Sequence, residues 1–531
     1  MGLVCKCRLF LTTRVLCLSL LLLTFISFVD AQAQSHEITS RNFVMSGDVS
    51  AEDGSKLLEK LETYRSALFH IYGLNYQDEA KKIPILVLKD VNEFTEVTGN
   101  KWASGIYVRA FHGYMFAMLS GEDLQVSQAA KHIAVHEYTH HFLSTYIPNE
   151  KPQWYHEGLA EYLASFELDP NGEIKTGLPI YEHLYVLNEP GWLTMVDMIN
   201  SLANYPMVDP SGAYKPLLGD PYSSTYGPSR AEFFYAQSWL MVHYLRNHPD
   251  MQVRFDKFNN SVSALDNTVA LFEQIIGMSP LEFEDVLRDY LKQDDFQTMT
   301  YVLPPNTENS KIEVKALSES SRAIKLLAAM SIFGNLHDLE GKTETLFTIA
   351  NSDSSTKIDT LLLRVMMDLD VADNDAALLK LNEASELDNN NARVHLYTGY
   401  AKLNKSMELP IESYADEAKY IAAVKSARST IKKSIDLDAD LIGSKCMYAM
   451  SSNLAGNKPD ALAVNSAEAC VKFLSGRKFA RQNLSLVPAL IHGKKYSLAN
   501  NIIRYGLEMD DEYTRKTARD YSFELEEAQE K

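Results

Sequence analysis

The chain has 531 residues and a formal net charge of -19, and its composition is 46% hydrophobic and 10% aromatic. The length predicts roughly two to four domains rather than a single hydrophobic core, and the ordinary composition excludes a low-complexity chain. The acidic charge disfavours nucleic acid and anionic membrane surfaces as partners, because both would repel it. We therefore expect no nucleic acid partner.

The first 33 residues have the pattern of a signal peptide. Basic residues precede an uninterrupted run of apolar and small polar residues at positions 15–29, and Ala31 and Ala33 place small side chains where a signal peptidase cleaves. The run is short for a bilayer span, although an uncleaved membrane anchor is the alternative. We predict a periplasmic or secreted protein that keeps no stable membrane span once residues 1–33 are removed.

Cys446 and Cys470 are the two of the five cysteines that lie outside the predicted signal peptide. In an oxidising compartment they can form one disulfide, and they can equally be two buried thiols of neighbouring helices. Neither is predicted to be catalytic, because no histidine-rich segment surrounds them.

The N-terminal half mixes strands and helices. Residues 42–45 and 83–88 read as strands, and residues 55–72 between them have helical periodicity, so that a β-α-β start predicts an α/β or α+β layer. Further predicted elements are a strand at 112–120, helices at 127–146 and 153–166, loops with short helices such as 193–202 across 168–230, a helix at 231–246 and two more before residue 295. Residues 114–119 form a candidate edge strand for an extended peptide.

The sequence changes character near the paired prolines Pro304 and Pro305, which stop regular structure and predict a domain boundary. Before it, we predict one domain at residues 35–305. After it, helix follows helix with few strand signals, which predicts an all-α domain at residues 315–531.

Two segments of the helical part have the same pattern. Residues 377–388 (ALLKLNEASELD) and 427–438 (ARSTIKKSIDLD) share a small residue, an apolar face and a Leu-Asp exit, and residues 493–510 look like a degenerate third copy. They resemble tetratricopeptide (TPR) helix pairs, although the first two copies are 50 residues apart and the usual repeat is about 34. Residues 403–418 can supply the excess as an insertion. The resemblance implies a TPR-like domain with a concave surface for a protein partner, and an irregular helical bundle is the alternative.

A candidate metal site lies at residues 136–140, His-Glu-Tyr-Thr-His. On a helix, His136 and His140 project from one face one turn apart, and both imidazoles can bind one ion. Zinc accepts imidazole nitrogens in tetrahedral geometry. Glu137 projects beside the metal, where a carboxylate can take a proton from an activated water. The pattern predicts one Zn2+ ion with Glu137 as the general base, and two unrelated surface histidines are the alternative.

The next predicted helix supplies a third ligand, which a catalytic zinc needs. Glu157 follows 17 positions after His140, a gap long enough for the chain to turn and bring a second helix back. Gly158 would let the two helices approach closely. Glu161, one turn further on the same face, can accept the remaining ring N–H of a ligand histidine and fix its orientation.

The segments HEYTH (136–140) and WYHEGLAEY (154–162) together resemble the gluzincin zinc metallopeptidases, the group that includes thermolysin and the aminopeptidase N family. The resemblance implies an α+β zincin-like catalytic domain, similar to the peptidase-MA-like domains that are often joined to TPR repeats. By position it implies that His136, His140 and Glu157 are the metal ligands and that Glu137 is the general base. It also implies that the Glu161 carboxylate holds the imidazole of a ligand histidine.

Two positions depart from the family pattern. Residues 112–119 (HGYMFAML) stand where the aminopeptidases carry Gly-Ala-Met-Glu-Asn, so recognition of a free amino terminus is not supported. The Asn before the ligand Glu is replaced by His156, which either contacts substrate or is an ordinary surface histidine.

The family also places a Tyr or His on a later helix to stabilise the oxyanion of the transition state. Tyr235, in a Tyr-Ala-Gln-Ser segment similar to that of related domains, is our candidate, and a core tyrosine is the alternative. Tyr226, Tyr244 and His243 are weaker candidates.

Two further histidines flank the motif. His132, one turn before His136, makes a shifted pair with it possible, but Ile133 then stands where the general base is required. His141 points about 100° away from its neighbour on the helix, and we predict a hydrogen-bonded structural residue.

Three functions remain open from the sequence. The first is an exported zinc metallopeptidase with a peptide or protein substrate and a protein partner on the helical repeats, and this is the one we expect. The second is a non-catalytic binding or scaffold protein that acts through the repeats, against which the intact Glu137 and ligand set argue. The third is a metallohydrolase for a non-peptide substrate such as a cell-wall cross-link.

Overall fold

The computed structural model describes residues 35–101, 103–120, 128–147, 151–169, 173–200, 228–261, 268–293, 295–303, 311–337, 341–456, 458–476 and 479–530. A region of mixed sheet and helix comes first along the chain and a mostly helical region follows it, in the order that the sequence predicts. The predicted signal peptide lies outside the described residues. Within them, no helix has the length and apolar character that crossing a membrane requires.

The described residues of the N-terminal region form two sheets. The larger has the strand order β4-β5-β3-β2-β1-β9, formed by β1 (His36–Thr39), β2 (Phe43–Gly47), β3 (Ile83–Leu88), β4 (Gly105–Ala110), β5 (Gly113–Leu119) and β9 (Glu313–Ala316). The smaller has the order β6-β7-β8, formed by β6 (Glu167–Leu168), β7 (Glu173–Thr176) and β8 (Met299–Val302). In the larger sheet, the β2–β3 and β3–β5 pairs are parallel. The β1–β2, β1–β9 and β4–β5 pairs are antiparallel.

Helices cover the larger sheet. Those of the N-terminal region are α1 (Ala51–Ile71), α2 (Val91–Thr98), α3 (Gln128–Tyr146), α4 (Gln153–Ala164), α5 (Tyr181–Asn188), α6 (Met195–Ile199), α7 (Arg230–Asn247), α8 (Pro249–Ser261), α9 (Thr268–Ile276) and α10 (Pro280–Tyr290). The predicted β-α-β start is confirmed by β2, α1 and β3. In the described residues between α7 and position 295, three helices (α8, α9 and α10) stand where two are predicted.

The predicted strand at 112–120 is confirmed as β5, but it is not an edge strand. It pairs with β3 on one side and with β4 on the other. The expectation that residues 114–119 present a free edge is therefore wrong, because the preceding hairpin strand covers that side. Among the described strands, β4 stands at this end of the sheet.

The C-terminal region continues as helices to the end of the described chain. They are α11 (Glu319–Phe333), α12 (Lys342–Ala350), α13 (Lys357–Asp370), α14 (Asn374–Leu387), α15 (Ala392–Met407), α16 (Tyr414–Leu437), α17 (Ile442–Met450), α18 (Ala461–Phe473), α19 (Ala480–Asn483), α20 (Val487–His492), α21 (Tyr496–Leu507) and α22 (Glu512–Glu530). Short 3-10 turns precede α13 and connect α17 to α18 and α19 to α20.

Alternate residues of the inner strands face two different cores, because successive side chains of a strand point to opposite faces. Ile83, Ile85 and Val87 of β3 belong to a core shared with α1, α3, α4 and α7. Leu86 and Leu88 belong to a second core, shared with α11 to α16. The C-terminal helices thus cover the face of the sheet that the metal-site helices leave open.

The chain between the two predicted domains contributes to the sheet. Strand β9 follows residue 305 and pairs antiparallel with β1. Just beyond it, Arg322 of α11 forms ion pairs with Asp48 and Glu93 at 2.5 and 2.6 Å. The start of the helical region is therefore fastened to the N-terminal region by backbone pairing and by a partly buried guanidinium. Pro304 and Pro305 lie outside the described residues.

The two similar C-terminal segments end in the same local structure. Asp388 after α14 and Asp438 after α16 are extended residues with φ of -154° and -145°. The carboxylate of each aspartate accepts a hydrogen bond from the backbone N–H two residues later in the chain, at 2.9 and 3.0 Å. The extra residues between the copies lie in a short loop and in α16, which has 24 residues. The two segments therefore share the conformation of the helix end as well as its sequence pattern.

Cys446 of α17 and Cys470 of α18 form a disulfide. Of the two alternatives that the sequence leaves open, the structure contains the bonded pair. The disulfide joins two consecutive helices of the C-terminal region, at the centre of the core that α17 to α22 share.

Candidate metal centre

Helices α3 and α4 carry the predicted ligands, and α7 packs against α4. Gly158 lies at this second contact, because a Cβ added there would lie only 2.2 Å from the Ser238 carbonyl oxygen of α7. The expectation that Gly158 serves the approach of α3 to α4 is therefore wrong about the partner helix. Its missing side chain instead lets α7 lie directly on the helix that carries Glu157.

The three predicted ligand atoms form a compact triangle. His136 Nε2 lies 3.0 Å from His140 Nε2, and Glu157 Oε2 lies 3.4 and 3.3 Å from these two nitrogens. Ligand atoms about 2.0–2.1 Å from a tetrahedral ion lie about 3.3–3.4 Å from one another. The residues present therefore match the size of a tetrahedral site with one position left for a non-protein ligand.

The Glu157 carboxylate is arranged to meet a cation. Gln153 Nε2 donates to its Oε1 at 2.7 Å, whereas the buried Oε2 has no hydrogen-bond donor in the part of the chain that the structure describes. Burial alone would raise the pKa of Glu157, but the charges of His140 and His136 lower it well below its usual range. An ionised, buried oxygen without a donor is costly, and a metal ion at the triangle removes that cost.

Glu137 is half-buried and adjacent to the triangle on α3. Its Oε2 accepts the backbone N–H of Tyr107, on β4, at 2.9 Å. Burial raises the pKa of Glu137, against the opposing charges of His136 and His140. One carboxylate oxygen is thus held by the sheet edge, and the group has the raised proton affinity that suits a general base.

Glu161 lies at the far side of the His136 imidazole, in the position where the sequence predicts a carboxylate that orients this ring. Its Oε1 lies 3.2 Å from His136 Nδ1. Its Oε2 lies 3.0 Å from His132 Nε2 and 3.2 Å from His183 Nε2. Burial alone would raise the pKa of Glu161, but the charges of His136 and His183 and the hydrogen bond with His132 lower it well below its usual range.

The shifted pair of histidines is also present in space. His132, His136 and Glu161 offer ligand atoms within 4.8 Å of one another, as His136, His140 and Glu157 do. The carboxylates of the two groups approach different nitrogens of His136, Glu161 at Nδ1 and Glu157 at Nε2. Glu137 directly follows the shared histidine, and only the second group contains an unpartnered carboxylate oxygen. The second group is therefore the better candidate to hold a metal ion.

Tyr235 reaches the centre from α7. Its ring is half-buried, and its centroid lies 6.3 Å from that of His136. The weaker candidates lie elsewhere in the fold. His243 is fully buried, with ring nitrogens 2.9 Å from Tyr290 Oη and from the Gly177 carbonyl oxygen, and Tyr244 packs in the same aromatic core. Tyr226 lies outside the described residues.

The two remaining histidines near the motif are partly or fully buried. His156 is half-buried, and burial together with the charge of His140 lowers its pKa to about 4. Because the ring is partly exposed, the two roles that the sequence leaves open for His156, substrate contact and a surface histidine, both stay predictions. His141 is buried, with Nδ1 2.9 Å from Tyr107 Oη, and is a structural residue as predicted.

Two residues that contribute to the candidate metal centre could not be recognised from the sequence. His183 lies in the stretch expected to be mostly loop, and α5 places it against Glu161. Tyr107 contributes a backbone N–H, which every residue except proline carries, so that only the sheet order reveals it. The run of β-branched and aromatic residues Ile106, Tyr107 and Val108 is the available signal for the strand itself.

Comparison with models of known protein families, with curated proteins and with solved structures gives no match to this chain.

Proposed function

We propose that the chain is an exported zinc metallopeptidase of the gluzincin type that hydrolyses peptide bonds with Glu137 as the general base. One observation carries the proposal: a half-buried carboxylate stands beside three ligand atoms spaced at 3.0–3.4 Å. Three protein ligands leave a fourth tetrahedral position for water or substrate, which distinguishes catalytic from structural zinc.

Each residue of the centre has its own role in the proposed reaction. A zinc ion held by His136, His140 and Glu157 would act as a Lewis acid and lower the pKa of a bound water to about 7. Glu137 accepts the proton and returns it to the leaving amine. Glu161 keeps His136 in the orientation that binding requires. Tyr235 donates a hydrogen bond to the oxygen on which negative charge develops.

The position of β4 favours an extended peptide as substrate. This strand lies at the end of the larger sheet, and its Tyr107 N–H already points to Glu137. A peptide that adds to such an edge gains main-chain hydrogen bonds and brings a backbone carbonyl beside the base. The substrate class we propose is therefore a peptide or an unfolded protein segment.

The proposal also covers the function of the helical region and the cellular compartment of the protein. The matching exits at Asp388 and Asp438 favour a TPR-like repeat, whose surface would bind a protein partner. The Cys446–Cys470 disulfide favours an oxidising compartment, in agreement with a cleaved signal peptide and a periplasmic or secreted protein.

Metal analysis and a peptide-library digest of the mature chain test the proposal together. The wild type should contain one zinc ion per chain and cleave peptides. Glu137→Gln should keep the zinc and lose about 10²–10⁴-fold in cleavage rate. Glu182→Gln, an exposed change on α5, is the matched control and should cleave as the wild type does.

Two outcomes would contradict the proposal. Stoichiometric zinc with no cleavage by any variant would favour the non-catalytic binding protein. Absence of bound metal at neutral pH would contradict the assignment of the site itself.

A further inference from the structure

Tyr107 fastens β4 to the metal-site helix at two points. Its N–H donates to Glu137 Oε2 at 2.9 Å, and its hydroxyl lies 2.9 Å from His141 Nδ1. Glu137 and His141 are one turn apart on α3. The position of this strand therefore fixes the orientation of the Glu137 carboxylate.

Arg109, two residues further along β4, fastens the strand to the last turns of α3. Its Nε donates to Tyr107 Oη at 2.8 Å. Its terminal nitrogens donate to Thr145 Oγ1 at 2.5 Å and to the carbonyls of His141 and Ser144 at 3.4 Å. The side chain is buried, and a cation near the C-terminus of a helix is stabilised by the carbonyl groups that lack helical partners.

The C-terminal region completes the environment of this guanidinium. Arg109 Nη1 donates to the carbonyl oxygen of Phe473 at 3.3 Å, and the guanidinium lies 5.3 Å from the centre of the Phe473 ring. Phe473 is the last residue of α18, one turn after Cys470. The residue that holds β4 on α3 is therefore itself held by a helix of the other region.

The partner helix in the disulfide contacts the same hairpin. Gly443 of α17 lies against its tip, because a Cβ added there would lie 3.1 Å from the Phe111 carbonyl oxygen. Tyr397 Oη lies 3.3 Å from Nδ1 of the next residue, His112. The disulfide of Cys446 and Cys470 thus joins two helices that both touch the β4–β5 hairpin.

We propose that Arg109 is a positioning residue of the metal centre, through which the disulfide-linked helices α17 and α18 hold Glu137 in its catalytic orientation. This inference rests on the proposed function for its effect on catalysis, but the structural coupling exists independently of it. The helical region then has a second proposed role besides partner binding. It keeps strand β4 and the Glu137 carboxylate in a fixed position relative to each other.

Two variants of the full metal-loaded chain test the coupling. Arg109→Lys keeps the charge but not the planar five-donor geometry. The double variant Cys446→Ser with Cys470→Ser leaves the sequences of β4 and α3 unchanged and removes the covalent link between α17 and α18. In both, amide hydrogen exchange of residues 105–110 should become about tenfold faster with zinc content unchanged. On a cleaved peptide, kcat should fall about tenfold while KM stays within about twofold.

Arg428→Lys is the matched control. Arg428 is as buried as Arg109, donates to the Tyr448 carbonyl oxygen at 2.8 Å and lies 4.2 Å from the Tyr448 ring centre, but it touches no part of β4 in the described structure. This change should lower stability without changing exchange at residues 105–110 or kcat.

Three results would overturn the inference: wild-type exchange at residues 105–110 in the double cysteine variant, a change spread equally over the whole sheet, or the same local change in Arg428→Lys. If the wild type cleaves no peptide, the proposed function fails, and the exchange data still decide whether the helical region holds β4.

Discussion

Glu157 and Glu161 lie one turn apart on α4 and face opposite nitrogens of one imidazole. Glu157 Oε2 lies 3.4 Å from His136 Nε2, and Glu161 Oε1 lies 3.2 Å from His136 Nδ1. One carboxylate can thus share a metal ion with the ring, and the other is placed to accept the N–H of the opposite nitrogen. The same pair of side chains sets both the metal triangle and the orientation of its central ligand.

Removal of the two carboxylates should therefore have different effects on the metal. Glu157→Ala deletes a ligand, and the purified protein should contain little zinc at neutral pH. Glu161→Ala leaves all three ligands and should weaken zinc binding by about 10–100-fold. Glu161→Gln is the control that retains an acceptor oxygen for the His136 N–H. Competition with a zinc chelator measures the affinities. Zinc loss in Glu161→Ala but not in Glu157→Ala would move the site to the group with His132.

Tyr235→Phe tests the proposed oxyanion donor. It removes one hydroxyl from a half-buried ring beside His136, so kcat should fall by about 10²–10³-fold while zinc content stays the same. Steady-state kinetics on a cleaved peptide and metal analysis measure the two quantities. Tyr244→Phe, in the aromatic core of the same helix, should leave kcat unchanged. Equal losses in both variants would show a packing effect and not a role in the transition state.

The helices of the metal centre could be predicted closely from the sequence. α3, α4 and α7 begin and end within a few residues of the segments with helical periodicity. His136 and His140 share one face because i and i+4 positions do so on any helix. Glu157 could be proposed because it lies on the next predicted helix, 17 positions after His140, and the resemblance to gluzincins implies the same long-range pairing of two helices.

The parts that escaped prediction depend on contacts between distant segments. β5 (GYMFAML) is almost continuously apolar, which is typical of a strand buried on both faces, and its pairing with β3 and β4 shows that it is internal. β9 was missed because four residues with exposed side chains carry no hydrophobic signal, and pairing with β1 alone defines them. His183 lies on an eight-residue helix, too short to show clear periodicity within a segment rich in glycine and proline.

Gly158→Ala should disturb the metal centre through the backbone of α7. The new methyl group would meet the Ser238 carbonyl oxygen, which cannot rotate away, so α4 must shift and carry Glu157 with it. We expect a loss of about 1–3 kcal/mol in unfolding free energy together with weaker zinc binding. Gly506→Ala, which would meet the Ala518 methyl group at 2.9 Å in the C-terminal helices, is the control for overpacking alone. Unchanged zinc affinity in Gly158→Ala would contradict this role of the α4–α7 contact.

Glu79 gives the fold an acid-sensitive contact on the far side of α3. Its Oε1 accepts hydrogen bonds from Arg65 Nη2 at 3.1 Å and from Tyr146 Oη at 2.8 Å. Burial alone would raise the pKa of Glu79, but His141, Arg65 and Tyr146 together lower it from 4.5 to about 2. Because the pKa is lower in the folded state, the stability that this carboxylate contributes is complete above pH 4.5 and is lost as the pH falls towards 2.

Glu79→Gln should therefore lower the free energy of unfolding by about 1–3 kcal/mol at neutral pH, and by progressively less between pH 4.5 and 2. Urea denaturation of the metal-free wild type and variant over this range measures the difference, and titration of the metal ligands affects both proteins alike. Glu167→Gln, at an exposed position, should show no such difference at any pH. A difference for Glu79→Gln that stays constant down to the lowest pH would mean that the carboxylate keeps its proton affinity on folding, because only a lowered pKa makes the stabilisation disappear in acid.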